Sequence, residues 1–461
     1  MTELATRESN STEEPQEIKA VVISEGQHPI REQDIDQEAL KVLYRLRDAG
    51  YSGYLVGGGV RDLYLGNRPK DFDISTNARP GQLRKLFRNS RTIGRRFRLV
   101  QVFFHGNKII EVSTLRCRSE YDINDPDKVL PSNNTFGTLE EDAFRRDLTI
   151  NSLFYEIENK TIIDYVGGVQ DLDDGIIRIV GEPERRITRD PVRMLRAIRH
   201  AARNDFGIEP ETWKAIVKHR HKLDLCPPSR IRDELLKDLH SGNSRGWAEV
   251  ALKSSVFSTM FPFYGEMLAG KDGQAVEKKL LAMLTVVDRL YREKVKKGKV
   301  VIADYMLFAA LLFPWADKRF DLMQQELQGA AYHRLSKEIR SELDDVFSRR
   351  LNLKRMSKDA ITTLFVNMPA FVKHQRNNSW PAWLRRKSYF ADCSRFYGIY
   401  QEISAAEPVD VSLFVDASAA SSAAPLRERN SRSGGGRRGG RRGTNPAFAS
   451  SKKGVFGLRK G

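Results

Sequence analysis

Cysteine is nearly absent from this sequence: three residues in 461, Cys117, Cys226 and Cys393, far apart and outside any CxxC or CxxH spacing. That leaves no basis for a disulfide framework or a zinc knuckle and reads as ordinary reduced thiols. Histidine is scarce too, with eight residues. Its one close pair, His219 and His221, lies two apart, which on a helix sends the rings to different faces. No long apolar run is present. The strongest, Tyr305 to Trp315, falls short of the roughly 20 residues that a membrane span needs. The first thirty residues carry Glu3, Glu8, Glu13, Glu14, Glu17 and Glu25 and no apolar centre, unlike a secretory signal. The expectation is a soluble chain that stays in the cytoplasm, with no membrane partner. Acids are in deficit: 60 Asp and Glu against 77 Lys and Arg, a net charge of +17, so the natural long-range partner is a polyanion such as nucleic acid.

The residues that are present divide the chain. Residues 1–35 are polar, acidic and aperiodic and read as a flexible arm. From Glu38 to Ala49 apolar residues recur at helical spacing, and Gly50 stops the helix. Tyr54 to Val56 predicts a strand running into Gly57-Gly58-Gly59, Val60 to Leu65 a helix, and Asp71 to Ile74 a second strand. Leu83 to Phe87 looks helical. Leu99 to Phe104 and Lys108 to Thr114 predict strands joined by a tight turn at Gly106-Asn107, which completes a mixed α/β unit. Beyond about Val180 the strands run out, and helical patterns such as Pro191 to Asn204 and Val276 to Tyr291 predict an all-α second half. Ser229 is a candidate N-cap and Gly242 a candidate stop. From 407 onward the composition turns to Ala/Ser and then Arg/Gly. Pro425 to Gly461 holds eleven Lys or Arg and one Glu, too polar to fold, and reads as a disordered basic tail.

Asp71 and Asp73 stand two apart in a strand, so both carboxylates share a face. Paired acids call for a cation, and with oxygen ligands alone the fitting one is Mg²⁺, completed by water and substrate phosphates. That arrangement suits nucleotidyl transfer, with one metal activating the attacking oxygen and another steadying the leaving pyrophosphate. Asp-x-Asp alone is equally the composition of a solvated turn. The preceding Gly57-Gly58-Gly59-Val60-Arg61-Asp62 separates the two readings: glycines let a backbone approach phosphate, and Arg61 adds a charged donor.

Together with Lys70-Asp71-Phe72-Asp73, Arg145-Arg146-Asp147-Leu148-Thr149-Ile150-Asn151 and Asp190-Pro191-Val192-Arg193-Met194-Leu195-Arg196, that run resembles the class II tRNA nucleotidyltransferase and poly(A) polymerase family over roughly residues 35–245. The resemblance implies an α+β fold: a small mixed-sheet nucleotidyltransferase head (36–180), an all-α neck that binds the nucleotide base and RNA (181–250), a helical RNA-binding body (251–406) and the tail (407–461). It implies attack of an RNA 3′-OH on the α-phosphate of a nucleoside triphosphate. Asp71 and Asp73 would hold catalytic Mg²⁺, and Asp147 would be the third acid, with Glu111 a rival ranked below it. Gly58, Arg61 and Arg146 would hold the nucleotide. Asp190, Arg193, Arg196 and Arg199 form a polar stripe at steps of three, which in the family faces the base, with Asp190 and Arg193 reading its edge. One departure stands out: the family usually has Glu before this Asp, and here it is Arg189.

The segment Ile93-Gly94-Arg95-Arg96-Phe97-Arg98 resembles the bacterial poly(A) polymerase branch rather than the CCA-adding one. Arg95, Arg96 and Arg98 would meet the RNA end, as would Arg437, Arg438, Arg441 and Arg442 of the tail through phosphate contacts. The branch implies template-independent addition of AMP from ATP to RNA 3′ ends, promoting RNA turnover, with RNA-decay proteins as candidate partners. A CCA-adding enzyme and a non-catalytic RNA-binding protein with a vestigial head remain the alternatives.

Overall fold

The computed structural model describes residues 19–94, 98–117, 136–295, 298–325, 327–375, 379–405 and 407–416. Arg95, Arg96 and the basic tail with Arg437, Arg438, Arg441 and Arg442 lie outside the described residues.

The head is one eight-stranded sheet flanked by short helices. Its strands are β1 (Val21–Ile23), β2 (Gly53–Val56), β3 (Asp73–Thr76), β4 (Ser90–Ile93), β5 (Leu99–Phe103), β6 (Ile109–Thr114), β7 (Phe154–Glu156) and β8 (Thr161–Asp164), in spatial order β1-β8-β7-β2-β3-β6-β5-β4. Neighbours run antiparallel except β3 and β6, which are parallel. Helix α1 (Gln37–Asp48) is launched by Asp36, whose carboxylate accepts from the Glu38 and Ala39 N–H groups, and it buries Ala39, Val42, Leu43 and Leu46 at the predicted spacing. Then follow α2 (Gly58–Tyr64), α3 (Pro80–Leu86), α4 (Leu139–Arg145) and α5 (Gly168–Asp173). The predicted turn between β5 and β6 is a single 3₁₀ turn with Gly106 and Asn107 both at positive φ.

Two boundaries need correction. The chain before residue 36 is not all loose arm: β1 pairs with β8, and Ile30 and Ile35 are buried against the head. A three-residue strand with two exposed valines is too short to announce itself inside an acidic stretch. The expected strand Asp71–Ile74 begins only at Asp73, leaving Asp71 just outside the sheet.

Beyond the head the chain is mostly helical. The neck comprises α6 (Pro183–Arg189), α7 (Val192–Asn204), α8 (Pro210–His219), α9 (Pro228–Leu239) and α10 (Ser244–Lys253). Helix α9 starts one residue before Ser229, capped by Pro227, because proline pre-sets the φ of a first turn; Gly242 ends the following turn at φ +75. The body adds α11 (Val256–Met260), α12 (Pro262–Ala269), α13 (Gly273–Arg292), α14 (Asp304–Phe320), α15 (Gly329–Arg350), α16 (Arg355–His374), α17 (Ala382–Arg385) and α18 (Phe390–Ala405). Strands do not vanish after Val180. The two-residue pairs β9 (Ile176–Ile177) with β10 (Gly207–Ile208), and β11 (Lys299–Val300) with β12 (Val415–Asp416), pin loops between helices. The apolar run Tyr305 to Trp315 lies in α14, where every residue from Met306 to Ala316 is buried, so it is the central helix of the body. Among the described residues, no helix is long and apolar enough to cross a membrane.

One glycine holds the sheet to the site below. Gly168 opens α5 so close to the carbonyl of Thr149 that a Cβ there would overlap it, while Thr149 Oγ1 donates to Asp171 at 2.6 Å. Gly168→Ala is therefore expected to lower stability by about 1–3 kcal/mol, the usual range for overpacking, as read by urea denaturation. A variant as stable as the parent would show that the Thr149–Asn151 turn is free to yield.

Candidate active site

Strand β2 leads into a turn at Gly57, whose φ of +66 an L side chain rarely adopts, and Gly58 then starts α2. The turn delivers Arg61 into a cleft of about 1460 Å³ bounded by the head, the neck and α13. Arg61 is mostly buried and tightly held: Nε and Nη2 donate to Asp62 Oδ1 at 3.0 and 2.7 Å, and Nη1 donates to Asn151 Oδ1 at 2.6 Å. Burial and the nearby Arg61 guanidinium push the His200 imidazole well below its usual value, and its Nδ1 lies 3.4 Å from Arg61 Nη1. Asn151 lay inside a motif the sequence already displayed. His200 carried no signal beyond standing one helical turn after Arg196.

Asp71 and Asp73 both line the same cleft as Gly58 and Arg61. The parallel register of β3 and β6 sets Asp73 level with Glu111, and Gln101 Nε2 donates to Glu111 Oε1 at 2.9 Å. Asp73 is open to the cleft on one side and walled by protein on the other. This partial enclosure, then Glu111, then Asp71, push its carboxyl up to about 6 against the pull of Arg146. Such crowding is what a divalent cation relieves, so the residues fit a magnesium site. Among the described residues no cluster of three or more ligating side chains would hold an ion unaided. An open pair or trio of carboxylates suits Mg²⁺, which keeps water and phosphate oxygens in its shell.

The rest of the predicted set lies outside this cleft lining. Asp147 does not join the acids: its Oδ2 meets Arg196 Nη1 at 2.8 Å, and its Oδ1 accepts the Leu148 N–H at 2.9 Å. Burial opposes its charge, but Arg196 and Arg193 overcome that and hold the carboxyl far below its usual range. The acid that strand register sets level with Asp73 is Glu111, which the sequence reading had ranked second and which is also outside the cleft lining. Strand register decided it, and no local pattern carries register between distant strands.

The arginine stripe on α7 also divides. Arg193 donates to the carbonyls of Arg146 (2.8 Å) and Arg145 (3.3 Å), where α4 ends, and Arg186 donates to Arg146 O at 2.6 Å. Cations there satisfy the orphan carbonyls of a helix C-terminus. Asp190 is gripped by both terminal nitrogens of Arg230, at 2.8 and 3.0 Å. Arg196 keeps a side chain 41% exposed, whereas that of Arg199 is 6% exposed and enclosed. Arg199 Nη1 pairs with Glu234 Oε2 at 2.5 Å and Nε with Asp238 Oδ1 at 2.6 Å. Arg199 thus braces α7 to α9, enclosed by Glu234 and Asp238 and absent from the cleft lining. Arg146 bonds Asp142, reaches the Asn151 carbonyl at 3.3 Å and lies over Phe154. Arg98 is exposed. The far wall of the cleft, with Arg203, Asn243, Arg245 and Arg292, was not anticipated; those residues come from three helices and a turn with no shared motif.

Known proteins resemble this chain in sequence and in fold. Residues 53–178 match a family model described as "Poly A polymerase head domain", and residues 205–268 one described as "Probable RNA and SrmB- binding site of polymerase A". The chain is 42% identical over 338 residues to Poly(A) polymerase I of Salmonella typhi, covering 72% of this chain and 71% of that one. It is 33% identical over 314 residues to the CCA-adding enzyme of Lactobacillus gasseri, covering 64% and 76%. In fold it resembles the Bacillus stearothermophilus CCA-adding enzyme in complex with CTP, with a TM-score of 0.58 at 23% identity over 81% of this chain and 78% of that one.

Removing the Arg199 guanidinium leaves Glu234 and Asp238 buried without their partner. Arg199→Ala is expected to destabilise the chain by about 3–5 kcal/mol, measured by chemical denaturation, while the folded fraction keeps its KM for nucleoside triphosphate. A raised KM in a variant of normal stability would return Arg199 to the nucleotide site.

Proposed function

The chain belongs to the poly(A) polymerase family, and from that premise we propose that it is a polynucleotide adenylyltransferase, adding AMP from ATP to RNA 3′ ends without a template. In the reaction the terminal 3′ oxygen bonds to the α-phosphorus of ATP, the α–β bridge breaks, and pyrophosphate leaves. The observation that carries the reading is the pair Asp71 and Asp73, with Glu111 level with Asp73, set in one cleft with Arg61 and Gly58.

Arg61 is locked by Asp62 and Asn151 before any ligand arrives, so its guanidinium meets the triphosphate already oriented, a preorganisation that lowers the ordering cost of binding. Gly58, with no side chain, leaves the backbone open to phosphate. Asp71 and Asp73, with Glu111 beside them, would hold Mg²⁺, which supplies charge neutralisation at the α-phosphate and the departing pyrophosphate. Arg203, Arg245 and Arg292 on the opposite wall suit the phosphates of an RNA end. Asp190 and Arg193 can read an adenine edge only if the base displaces Arg230 from Asp190, which makes base selection a competition between two hydrogen-bonding partners. A single-stranded A extension is an unstructured end that a 3′ nuclease can grip, which connects this activity to RNA turnover and to decay proteins as partners in the cytoplasm.

A CCA-adding activity is the second reading, favoured by the Lactobacillus relative. Purified chain with magnesium, an oligo(A) primer, a tRNA lacking its end and each nucleotide in turn decides between them. ATP-only extension of oligo(A) is expected; CTP incorporation stopping after a short addition to the tRNA would overturn the proposal.

Asp71→Ala, Asp73→Ala and Glu111→Ala should each reduce incorporation by at least about a hundredfold, on the scale of losing a charge-stabilising group, with RNA binding retained in a filter assay. Full incorporation by Asp73→Ala would overturn the assignment of the chemistry to these acids. Deleting residues 425–461 should weaken RNA binding and flatten its salt dependence, by roughly 0.7 in log–log slope for each single-strand phosphate the tail would have neutralised, as read by a salt titration.

A further inference from the structure

The body holds a second cavity, of about 370 Å³, between α15, α16 and α17 and the turn at Gln325, lined by none of the residues that line the catalytic cleft. It lies beyond both matched family segments, which end at residues 178 and 268. Its walls carry the rings of Tyr332, Trp383 and Tyr389, the ammonium-bearing Lys373 and Lys387, and the buried amide of Asn367. Among its described lining residues there is no carboxylate. The catalytic cleft, by contrast, is rich in acids, so the two sites differ in chemistry as well as in place.

The cavity is built on a rigid base. Trp380 donates its Nε1–H to the Phe371 carbonyl at 3.0 Å and packs against Phe371, Phe390 and Tyr397. Three residues on, Trp383 is the opposite case: half of its surface is exposed, and its described ring neighbour is His374, edge-on at 5.4 Å. After it come Arg385, Arg386 and Lys387, all exposed, on a turn fixed by backbone bonds from Arg386 N to Ala382 O and from Lys387 N to Leu384 O. Asn367 Nδ2 bonds the Tyr332 hydroxyl at 3.2 Å, which holds a second ring at the mouth.

A flat indole open to solvent and the exposed Lys387 beside it, with no carboxylate among the described lining residues, make the chemistry of a nucleoside phosphate: the base stacks, and the phosphate meets an ammonium. The volume falls within the range of small-ligand pockets, roughly 300–1,000 Å³. We propose that this cavity is an accessory nucleotide subsite that takes one base and its phosphate from single-stranded RNA whose 3′ end is elsewhere on the enzyme. The open side at Trp383 and the cationic run after it suit a chain that continues past the site. The proposal rests on the RNA-polymerising reading above, and its measurement needs no catalysis, so the two can fail separately.

The test uses the full chain with labelled oligo(A), and free AMP as the second probe, without ATP or magnesium. Trp383→Ala should weaken oligo(A) binding about tenfold, in line with the loss of one stacked base, and Trp383→Phe should restore most of it. Lys387→Glu should lower the log–log salt slope by about 0.7 or more. AMP, one base with its phosphate, should bind weakly to the parent and more weakly still to Trp383→Ala. If AMP binding is lost in Trp383→Ala while oligo(A) binding stands, the cavity takes free nucleotide and the RNA assignment is overturned. Unchanged oligo(A) affinity and salt slope in folded Trp383→Ala and Lys387→Glu overturn the subsite altogether. Should Trp383→Ala melt early, Lys387→Glu and Trp383→Phe, both at exposed positions, decide the matter by the same readings. Loss of oligo(A) binding in a chain that transfers no AMP would sustain this site and remove the polymerase reading.

Discussion

The parallel pairing of β3 with β6 is the constraint from which the site follows, because it places Asp73 level with Glu111 in a sheet that is otherwise antiparallel. Like charges on adjacent strands repel, and here Asp71 adds a third from just outside the sheet. The carboxyl of Asp73 is pushed up to about 6 as a result. Such an arrangement works against the folded state unless a cation shares it, so the head gives up some stability to keep the acids together. The glycine turn between β2 and α2 then matters for its position: β2 lies next to β3, with Val56 opposite Asp73, and the turn that follows brings Arg61 to the same mouth.

The neck supplies the stiffness that such a strained mouth requires. Its helix α7 carries arginines at every third position, and the structure gives each a different partner. Arg193 closes the carbonyl end of α4, Arg196 clasps Asp147, and Arg199 is sunk between Glu234 and Asp238. Burial pushes Asp238 up to about 6 even with Arg199 in contact, a sign that this brace sits in a poorly hydrated place where removing one partner is far more harmful than the pair is favourable. Head and neck are thereby joined through α7, by Arg196 to Asp147 and by Arg193 to the end of α4.

How much of this could be read from the chain depended on whether the cause was local. Helix α1, the glycine turn and the hairpin at Gly106-Asn107 follow from neighbours in sequence and appeared where expected; the two acids do line one cleft, but with Asp71 outside the strand that was to carry both. Strand β1 did not, since three residues in an acidic stretch form a strand only because β8 is there to receive them. Glu111 and Asp147 show the same limit from two sides. An acid inside a conspicuous motif looked like the third ligand, yet its neighbour in space is Arg196; an acid in a plain strand was the one that register brought to Asp73. The α7 stripe misled for a related reason, as periodicity tells which residues share a face but not whether that face meets solvent, ligand or buried acids.

The distribution of cations ties the cleft and the body together. In the cleft some positive side chains are already committed to carboxylates: Arg61 to Asp62, Arg245 to Glu249, and Arg289 to Glu402 and Glu293. Committed charges orient a ligand well but contribute little net attraction, because each is already half neutralised. Long-range attraction for an RNA chain falls to cations that are not so committed, and the exposed Arg385-Arg386-Lys387 run beside Trp383, with no carboxylate partner among the described residues, adds to those of the cleft wall. Precise placement at the acids and loose capture at a distance are different physical tasks. A chain that does both is expected to separate them, because a site crowded with free arginines would quench the very anions that the chemistry needs.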